Sequence, residues 1–243
     1  MNETDKKYRF RFKQFGINDS DCAMKIGTDG VLLGAWADVN NSKNVLDIGS
    51  GSGLISLMTA QRSKALITGI EIDPNAAKQS MENINNSPWA SRISIINADF
   101  IEWVNENDCM YKYDHIVSNP PFFNNGFIAP NSNRAIARHE NTLGYDKLIS
   151  LSHKLLSNNG KLSIISPTER KDDIIFYCEL AQMYISRLTE VYSKCGGKIT
   201  RILWEFTPQK ETTIYSQISI RDSQNSYHEQ YINLTKDFYL QLN

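Results

Sequence analysis

The stretch Val45–Leu57, VLDIGSGSGLISL, decides the fold of this 243-residue chain. Its apolar beginning is typical of a buried β-strand, and its second half has the apolar spacing of a helix. Three glycines, Gly49, Gly51 and Gly53, form the turn between the two. Glycine tolerates positive φ and lets a ligand approach the backbone closely. We therefore interpret the stretch as a strand, a ligand-binding turn and a helix.

Short apolar runs alternate with helical periods along the rest of the chain. This pattern is typical of a parallel sheet with helices on both faces, so we expect an α/β fold with a doubly wound, mainly parallel sheet. A C-terminal antiparallel hairpin around KCGGK would complete the sheet, and Gly160 is expected to end a helix in the left-handed conformation. The expected strands cover 44–48, 66–72, 92–97, 114–118, 161–166, 185–192 and 199–207, and the expected helices 54–62, 75–86, 100–106, 144–158 and 169–184, with a helix or edge strand near 226–241.

The composition narrows the function classes. The net charge is −1, from 26 basic and 27 acidic residues, so a protein that binds a polyanion would need a local basic patch. The four cysteines are far apart, without metal-binding or redox spacing, which is typical of a reducing compartment. No apolar stretch is long enough for a signal core or a membrane span. We expect a cytoplasmic protein without a metal or a membrane partner.

Three carboxylates follow or end predicted strands. Asp47 ends the first, Glu71 ends the second about 20 residues after the glycine turn, and Asp99 follows the third. The carboxyl ends of parallel strands meet at one edge, where Glu71 suits the two hydroxyls of a ribose. Asp99 alone would be read as a helix N-cap. The third glycine comes one residue early for the G-x-G-x-x-G fingerprint of dinucleotide-binding proteins, and the sequence has no phosphate-binding P-loop. S-adenosylmethionine, which carries no phosphate, therefore fits best.

A second motif, VSNPPFFN at Val117–Asn124, follows the fourth predicted strand. On its own it could be an ordinary turn. It falls, however, where the strand order should reverse, which is the expected ligand crevice. With this motif the chain resembles the class I S-adenosylmethionine-dependent methyltransferases that modify amino groups, through DIGSGSG, EID, NAD and NPPF in that order.

The resemblance implies a chemistry for the second motif. The exocyclic amine of adenine is a weak nucleophile, and the Asn119 side-chain oxygen and the Pro120 carbonyl would each accept one of its N–H groups. Pro121 would help to fix the backbone without adding a competing N–H. Phe122 would stack on the base once the base has left its own stack. No separate general base is required, because the proton leaves after methyl transfer.

The opening FKQFGINDSDCAMKIGTDGVLLGAWA is similar to that of the bacterial tRNA(Val) (adenine-N6)-methyltransferases. RAIARHENTLGYDKLI and LTKDFYL also resemble that family, whose substrate is the adenine 3′ of the anticodon of a valine tRNA. The resemblance implies an N-terminal arm or lid (1–40) over the cofactor pocket of a methyltransferase domain (41–243). It also implies that Lys25, Thr28 and Asp29 lie near the methionine end of the cofactor. Many members carry Tyr at the positions of Phe122 and Phe123, so a phenolic hydrogen bond is not expected here.

A tRNA substrate requires contacts to phosphates and to an unstacked base. The alternation of basic and aromatic residues in YRFRFK could equally be the solvated face of a strand. Arg134 and Arg138 lie in a long polar loop directly after the second motif, and long loops in compact domains tend to be functional. The candidate RNA contacts are Arg9, Arg11, Lys13, Arg134 and Arg138.

Alternatives remain open at this stage. Ribosomal RNA guanine-N2 methyltransferases share Asn-Pro-Pro-Phe but usually continue with His, where this chain has Phe123. Glutamine methyltransferases of release factors carry a larger N-terminal domain, and DNA adenine enzymes carry a target-recognition domain. A non-catalytic RNA-binding protein that keeps the cofactor fold is the alternative from another class. The oligomeric state is expected to be a monomer or a weak homodimer.

Overall fold

The computed structural model describes residues 8–107, 112–121 and 143–241. Its strands are β1 (Phe10–Arg11), β2 (Gly16–Ile17), β3 (Asn44–Ile48), β4 (Leu66–Glu71), β5 (Ile93–Asn97), β6 (Tyr113–Ser118), β7 (Leu156–Pro167), β8 (Tyr184–Lys194), β9 (Ile199–Thr207) and β10 (Ile214–Arg221). Its α-helices are α1 (Thr28–Trp36), α2 (Leu54–Arg62), α3 (Pro74–Asn85), α4 (Phe100–Glu106), α5 (Tyr145–Leu155), α6 (Lys171–Leu180) and α7 (Glu229–Thr235).

The main sheet has eight strands in the order β10-β8-β9-β7-β6-β3-β4-β5. Strands β7, β6, β3, β4 and β5 run parallel, and β9 is antiparallel to both β7 and β8. The chain leaves β3 toward β4 on one side and returns to β6 on the other, so the strand order reverses at β3. The expected doubly wound, mainly parallel sheet with its antiparallel hairpin is confirmed.

Buried residues form one hydrophobic cluster on each face of this sheet. Helices α1 and α2 contribute to the first cluster, with Val31, Leu33 and Leu57 fully buried. Helices α4 and α5 contribute to the second, with Leu148 and Ile149 fully buried. These opposed layers leave the carboxyl ends of the parallel strands as the edge that loops can cover.

Helix α1 and strand β10 were not predicted, and the prediction for Gly160 was wrong. Helix α1 lies within the stretch 1–40, and β10 extends the sheet beyond the hairpin by pairing parallel to β8. Gly160 does not end a helix in the left-handed conformation. It lies inside β7 at an irregularity of the β6–β7 pairing, where an added Cβ would come within 2.7 Å of the Tyr113 carbonyl oxygen. Close backbone approach, and not positive φ, therefore requires glycine here.

The N-terminal arm packs against the segment that follows α7, through ring contacts of Phe10 and Phe12 with Tyr239. Phe12 is 1% exposed and stacks on Phe15, with 4.6 Å between ring centroids. The neighbouring Arg11 and Lys13 are exposed, so the alternation seen in the sequence is that of a strand with one buried face. The Lys13 ammonium donates to the Lys236 carbonyl oxygen at 2.6 Å, just after α7. The division at residue 40 stays a prediction.

His115 makes the stability of this fold sensitive to acid. It is 1% exposed in β6, with Nε2 2.9 Å from the Ser163 hydroxyl, and burial lowers its pKa from 6.5 to about 4. Between these values the unfolded chain binds a proton that the folded chain excludes, so stability from this group is lost as the pH falls. We expect the loss in the free energy of unfolding from this group to reach about 3 kcal/mol once the pH is below both pKa values. Urea unfolding at pH 7 and pH 4.5 should show a smaller loss for His115→Gln than for the unmodified protein; equal losses would contradict this assignment.

Candidate active site

The glycine turn after β3 adopts the conformation that its sequence predicted. Gly49, Gly51 and Gly53 have φ of 71°, 53° and 81°, a region that side chains with a Cβ rarely adopt. A Cβ added at Gly49 or Gly51 would meet nothing within 4 Å, so these two face open space in which a ligand can approach the backbone. At Gly53 it would come within 2.6 Å of the Ser80 hydroxyl, so this glycine lets α3 pack closely against the turn.

Glu71 lies beside this turn at the end of β4 and is 8% exposed. One carboxylate oxygen accepts from the Gly51 N–H at 2.7 Å and the other from the Asp73 N–H at 2.9 Å. A carboxylate oxygen has two acceptor positions, so each keeps one for a further donor. A nearly buried carboxylate with this remaining capacity next to an open glycine turn fits a ribose with two hydroxyls.

Asp47 lies beneath the turn, not on its open side. It is 0% exposed, and Oδ2 accepts from the Ser56 hydroxyl at 2.6 Å. The other oxygen finds no hydrogen-bond partner in the described part of the chain. Burial is the main cause that raises the pKa of this carboxyl from 3.8 to about 6. Asp47 thus connects the turn to α2, while a direct contact with the cofactor stays a prediction.

Asp47 should destabilise the ligand-free fold at neutral pH. Its folded pKa is raised, so the folded chain holds a proton more tightly than the unfolded chain, and stability falls as the pH rises from about 4 to about 6. We expect Asp47→Asn, which removes the buried charge, to raise the free energy of unfolding at pH 7 by up to about 3 kcal/mol. The gain should vanish near pH 4, where Asp47 is already protonated. Denaturant unfolding at both pH values checks this, and a loss of stability at pH 7 would contradict it.

Asn119 follows β6 directly, at the same edge of the sheet. The Ser118 hydroxyl donates to the Ile48 carbonyl oxygen at 2.8 Å and joins the ends of β6 and β3. The Asn119 side-chain oxygen is buried and has no hydrogen-bond partner among the described residues, and its nitrogen lies 3.8 Å from the Met24 sulfur. A buried acceptor without a donor costs about 1–3 kcal/mol, so it suits a ligand that brings an N–H.

The other predicted site residues have mixed surroundings. Pro120 is buried and Pro121 exposed, while Phe122 lies outside the described residues. Asp99 is the N-cap of α4 and accepts from the Ile101 and Glu102 N–H groups at 2.8 and 3.0 Å. The N-cap interpretation is confirmed, and a role of Asp99 in cofactor binding stays a prediction.

Lys25 lies in the arm three residues before α1, and Thr28 begins α1. The Lys25 ammonium donates to the carbonyl oxygens of Asp19, Ser20 and Cys22 at 2.6, 2.9 and 2.9 Å, so it braces the arm. Thr28 is the exposed first residue of α1. Contact of either residue with the cofactor stays a prediction.

The predicted RNA contacts are only partly described. The Arg9 side chain is 62% exposed and lies 3.4 Å from the Asp19 carboxylate. Arg11 and Lys13 are exposed, although the Lys13 ammonium is engaged with the C-terminal segment. Arg134 and Arg138 lie outside the described residues. The RNA role of all five stays a prediction.

Sequence reasoning missed contacts that join distant segments at this edge. Asp29 pairs with Arg201 at 2.9 Å, which ties the start of α1 to β9. The next residue, Gly30, lies close to catalytic candidate Asn119, because a Cβ there would be 3.8 Å from the Asn119 side-chain nitrogen. Asn83 of α3 binds both the arm and the glycine turn. Local patterns carry no signal for such pairs; only the polar character of Asn83 on an apolar helix face could have indicated it.

The described residues include no candidate for a membrane-spanning helix or for a metal site. None of their helices is both long and apolar enough to cross a membrane. In the same ranges no three His, Cys, Asp or Glu side chains are grouped so that they could hold a metal ion.

Comparisons with known proteins show what this chain is similar to. The family model for the methyltransferase small domain matches residues 22–187. A relative from Bacteroides fragilis named tRNA1(Val) (adenine(37)-N6)-methyltransferase is 42% identical over 96% of this chain and 98% of its own length. A relative of the same name from Shewanella baltica is 39% identical over 95% and 98%.

Solved structures share the fold at low identity. A protein from Agrobacterium tumefaciens, described as a predicted O-methyltransferase, has a TM-score of 0.67 at 18% identity, over 86% of this chain and 96% of that one. A ribosomal protein L11 methylase from Lactobacillus delbrueckii has a TM-score of 0.52 at 16% identity, over 74% and 77%.

Proposed function

Since this chain belongs to the family of tRNA1(Val) (adenine(37)-N6)-methyltransferases, we propose that it methylates the exocyclic N6 amine of adenine 37 in a valine tRNA. The chain is an S-adenosylmethionine-dependent methyltransferase by its family and its fold. The observation that carries the choice of reaction is the buried Asn119 oxygen directly after β6, which has no hydrogen-bond partner among the described residues.

Three groups of the site fit the cofactor. Gly49 and Gly51 leave open space at the turn, and Glu71 retains acceptor capacity for the ribose hydroxyls. S-adenosylmethionine supplies a methyl group on a positively charged sulfur, which is electrophilic without help from a metal. The turn also presents backbone, without a bulky side chain, to a ligand that carries no phosphate.

The chain's own contribution to the reaction is to orient the attacking amine. The Asn119 oxygen accepts one N–H of the adenine amine, and the Pro120 carbonyl oxygen accepts the other. Both hydrogen bonds favour a tetrahedral nitrogen, whose lone pair then points away from the two acceptors and toward the methyl group. The acceptors are placed before the substrate arrives, because Asn119 follows a strand whose end is tied to β3 by Ser118. The excess proton leaves to solvent after transfer.

The substrate side of the proposal rests on basic residues of the arm and of the segment that follows Pro121. We propose that Arg9, Arg11 and Lys13, with Arg134 and Arg138, contact tRNA phosphates. Because the net charge of the chain is −1, such binding would depend on this local patch and would weaken steeply with salt. We also propose a cytoplasmic location and a monomer or weak homodimer.

The test is methyl transfer from labelled S-adenosylmethionine to tRNA from a strain without its own enzyme, followed by nucleoside analysis. Label is expected in N6-methyladenosine. A valine tRNA transcript with adenine 37 should be methylated, and one with guanine 37 should not. Label in ribosomal RNA as N2-methylguanosine, with none in tRNA, would overturn the proposal in favour of the guanine-N2 alternative. Cofactor binding without any transfer would favour the non-catalytic RNA-binding alternative.

A further inference from the structure

Asn83 is a buried polar residue of α3 with all its donors in use. It is 2% exposed. Its side-chain oxygen accepts from the Asn18 N–H at 3.0 Å, and its nitrogen donates to the Asn18 carbonyl oxygen at 2.8 Å and to the Ser52 carbonyl oxygen at 2.9 Å. One amide therefore joins three segments that are distant in sequence: the arm, the glycine turn and α3.

An amide is the side chain that this position requires. Asn83 is the hydrogen-bond partner of both the backbone N–H and the carbonyl of Asn18. In a sheet, a neighbouring strand would supply the same two hydrogen bonds. A carboxylate at position 83 would place an acceptor against the carbonyl oxygens of Asn18 and Ser52. An apolar side chain would leave the partly buried N–H and carbonyl of Asn18 and the buried carbonyl of Ser52 without this partner.

The arm segment 18–26 that Asn83 holds is braced internally but has few other attachments to α3. The Asp19 carboxylate accepts from the Ile26 N–H at 2.9 Å, and Lys25 binds three carbonyl oxygens of the same segment. One turn before Asn83, Gln79 accepts from the Ser20 hydroxyl at 3.1 Å. The segment can thus keep its own shape while its position depends on α3.

This arm segment lies over the crevice of the candidate site. The Met24 sulfur is 3.8 Å from the Asn119 side-chain nitrogen. At its other end the segment is joined to the glycine turn, because Asn83 binds both Asn18 and the Ser52 carbonyl oxygen. Burial and, to a lesser extent, the negative charge of Glu71 raise the pKa of the buried Cys22 thiol to about 11. The segment therefore extends from the glycine turn to the amine-binding candidate.

We propose that Asn83 is a positioning residue that sets the affinity for S-adenosylmethionine by holding the arm segment at a fixed distance from the glycine turn. This inference rests on the proposed function in one respect, namely that S-adenosylmethionine is the cofactor. Asn83 touches neither Glu71 nor Asn119 in the structure, so its effect is on the walls of the pocket and not on the chemistry.

The experiment compares the unmodified protein with Asn83→Leu, by calorimetric titration with S-adenosylhomocysteine and by hydrogen exchange of the ligand-free chain. We expect the dissociation constant to rise at least tenfold, and the peptide that covers residues 16–26 to exchange faster. In methyl transfer, the KM for S-adenosylmethionine should rise, while kcat at saturating cofactor stays within about twofold.

A matched control separates positioning from general loss of stability. Leu155→Ala removes a side chain that is 1% exposed at the far end of α5, so it should lower the denaturant midpoint of unfolding without changing cofactor affinity. An equal rise of the dissociation constant in both variants, or no rise in Asn83→Leu, would overturn this inference alone. An unmodified protein without cofactor affinity would overturn the proposed function as well.

Discussion

Asn119→Ala is expected to lower kcat for methyl transfer by about 100- to 1,000-fold while cofactor affinity stays nearly unchanged. The side-chain oxygen is a buried acceptor directly after β6 that has no hydrogen-bond partner among the described residues. Its hydrogen bond to the amine strengthens as the nitrogen becomes tetrahedral, so its loss raises the barrier more than it weakens ground-state binding. Single-turnover rates with a valine tRNA, together with calorimetry of cofactor binding, measure the two effects separately.

Met24→Leu is the matched control for this experiment. It keeps the approximate volume of the side chain and replaces the thioether, whose sulfur lies 3.8 Å from the Asn119 nitrogen, with a branched hydrocarbon. We expect its rate to stay within about threefold of the unmodified protein, because exchanges of Met and Leu conserve volume. If Asn119→Ala instead lost cofactor affinity and kept a normal turnover, the assignment of Asn119 to the amine would be wrong.

The parallel half of the sheet could be predicted because its central strands, β3 and β6, are buried on both faces. Such strands appear as short continuous apolar runs, and β3, expected at 44–48, was found at Asn44–Ile48. Helices α2 and α4 were likewise found at their expected positions, 54–62 and 100–106. Strand β10 could not be predicted in the same way, since Ile214–Arg221 lies at the sheet edge and its first four residues are exposed. Its apolar alternation is limited to Ile218 and Ile220.

Whether a residue of the candidate site could be predicted depends on how far along the sequence its contacts lie. The glycine turn, Glu71 and Asn119 were found from local motifs, because each lies at the end of a strand whose direction the pattern already gave. Asn83 was missed, because its partners Asn18 and Ser52 are 65 and 31 residues away. The wrong prediction for Gly160 has a similar cause: the residue that requires a glycine there is on a neighbouring strand.

Glu71→Ala is expected to weaken cofactor binding first, by about 10- to 100-fold, since hydrogen bonds to a charged group contribute about 1.5–3 kcal/mol each. The change removes the acceptor for the ribose hydroxyls. It also removes the acceptor of the Gly51 N–H at 2.7 Å, so the turn loses a partner that helps to hold its conformation. The effect on kcat at saturating cofactor should be small, because Glu71 contacts neither the amine nor its acceptors. Calorimetric titration with S-adenosylhomocysteine gives the affinity directly.

Asp73→Ala distinguishes this role from damage to the neighbouring helix. Asp73 caps α3 and accepts from the Asn75 N–H at 2.9 Å, so its removal should cost about 1 kcal/mol of stability. It leaves the Glu71 carboxylate in place, because the Asp73 contact to Glu71 uses the backbone N–H and not the side chain. Cofactor affinity in Asp73→Ala should therefore stay within about threefold of the unmodified protein. An equal loss in the two variants would assign the effect to α3, and Glu71 would then hold the turn without binding the ribose.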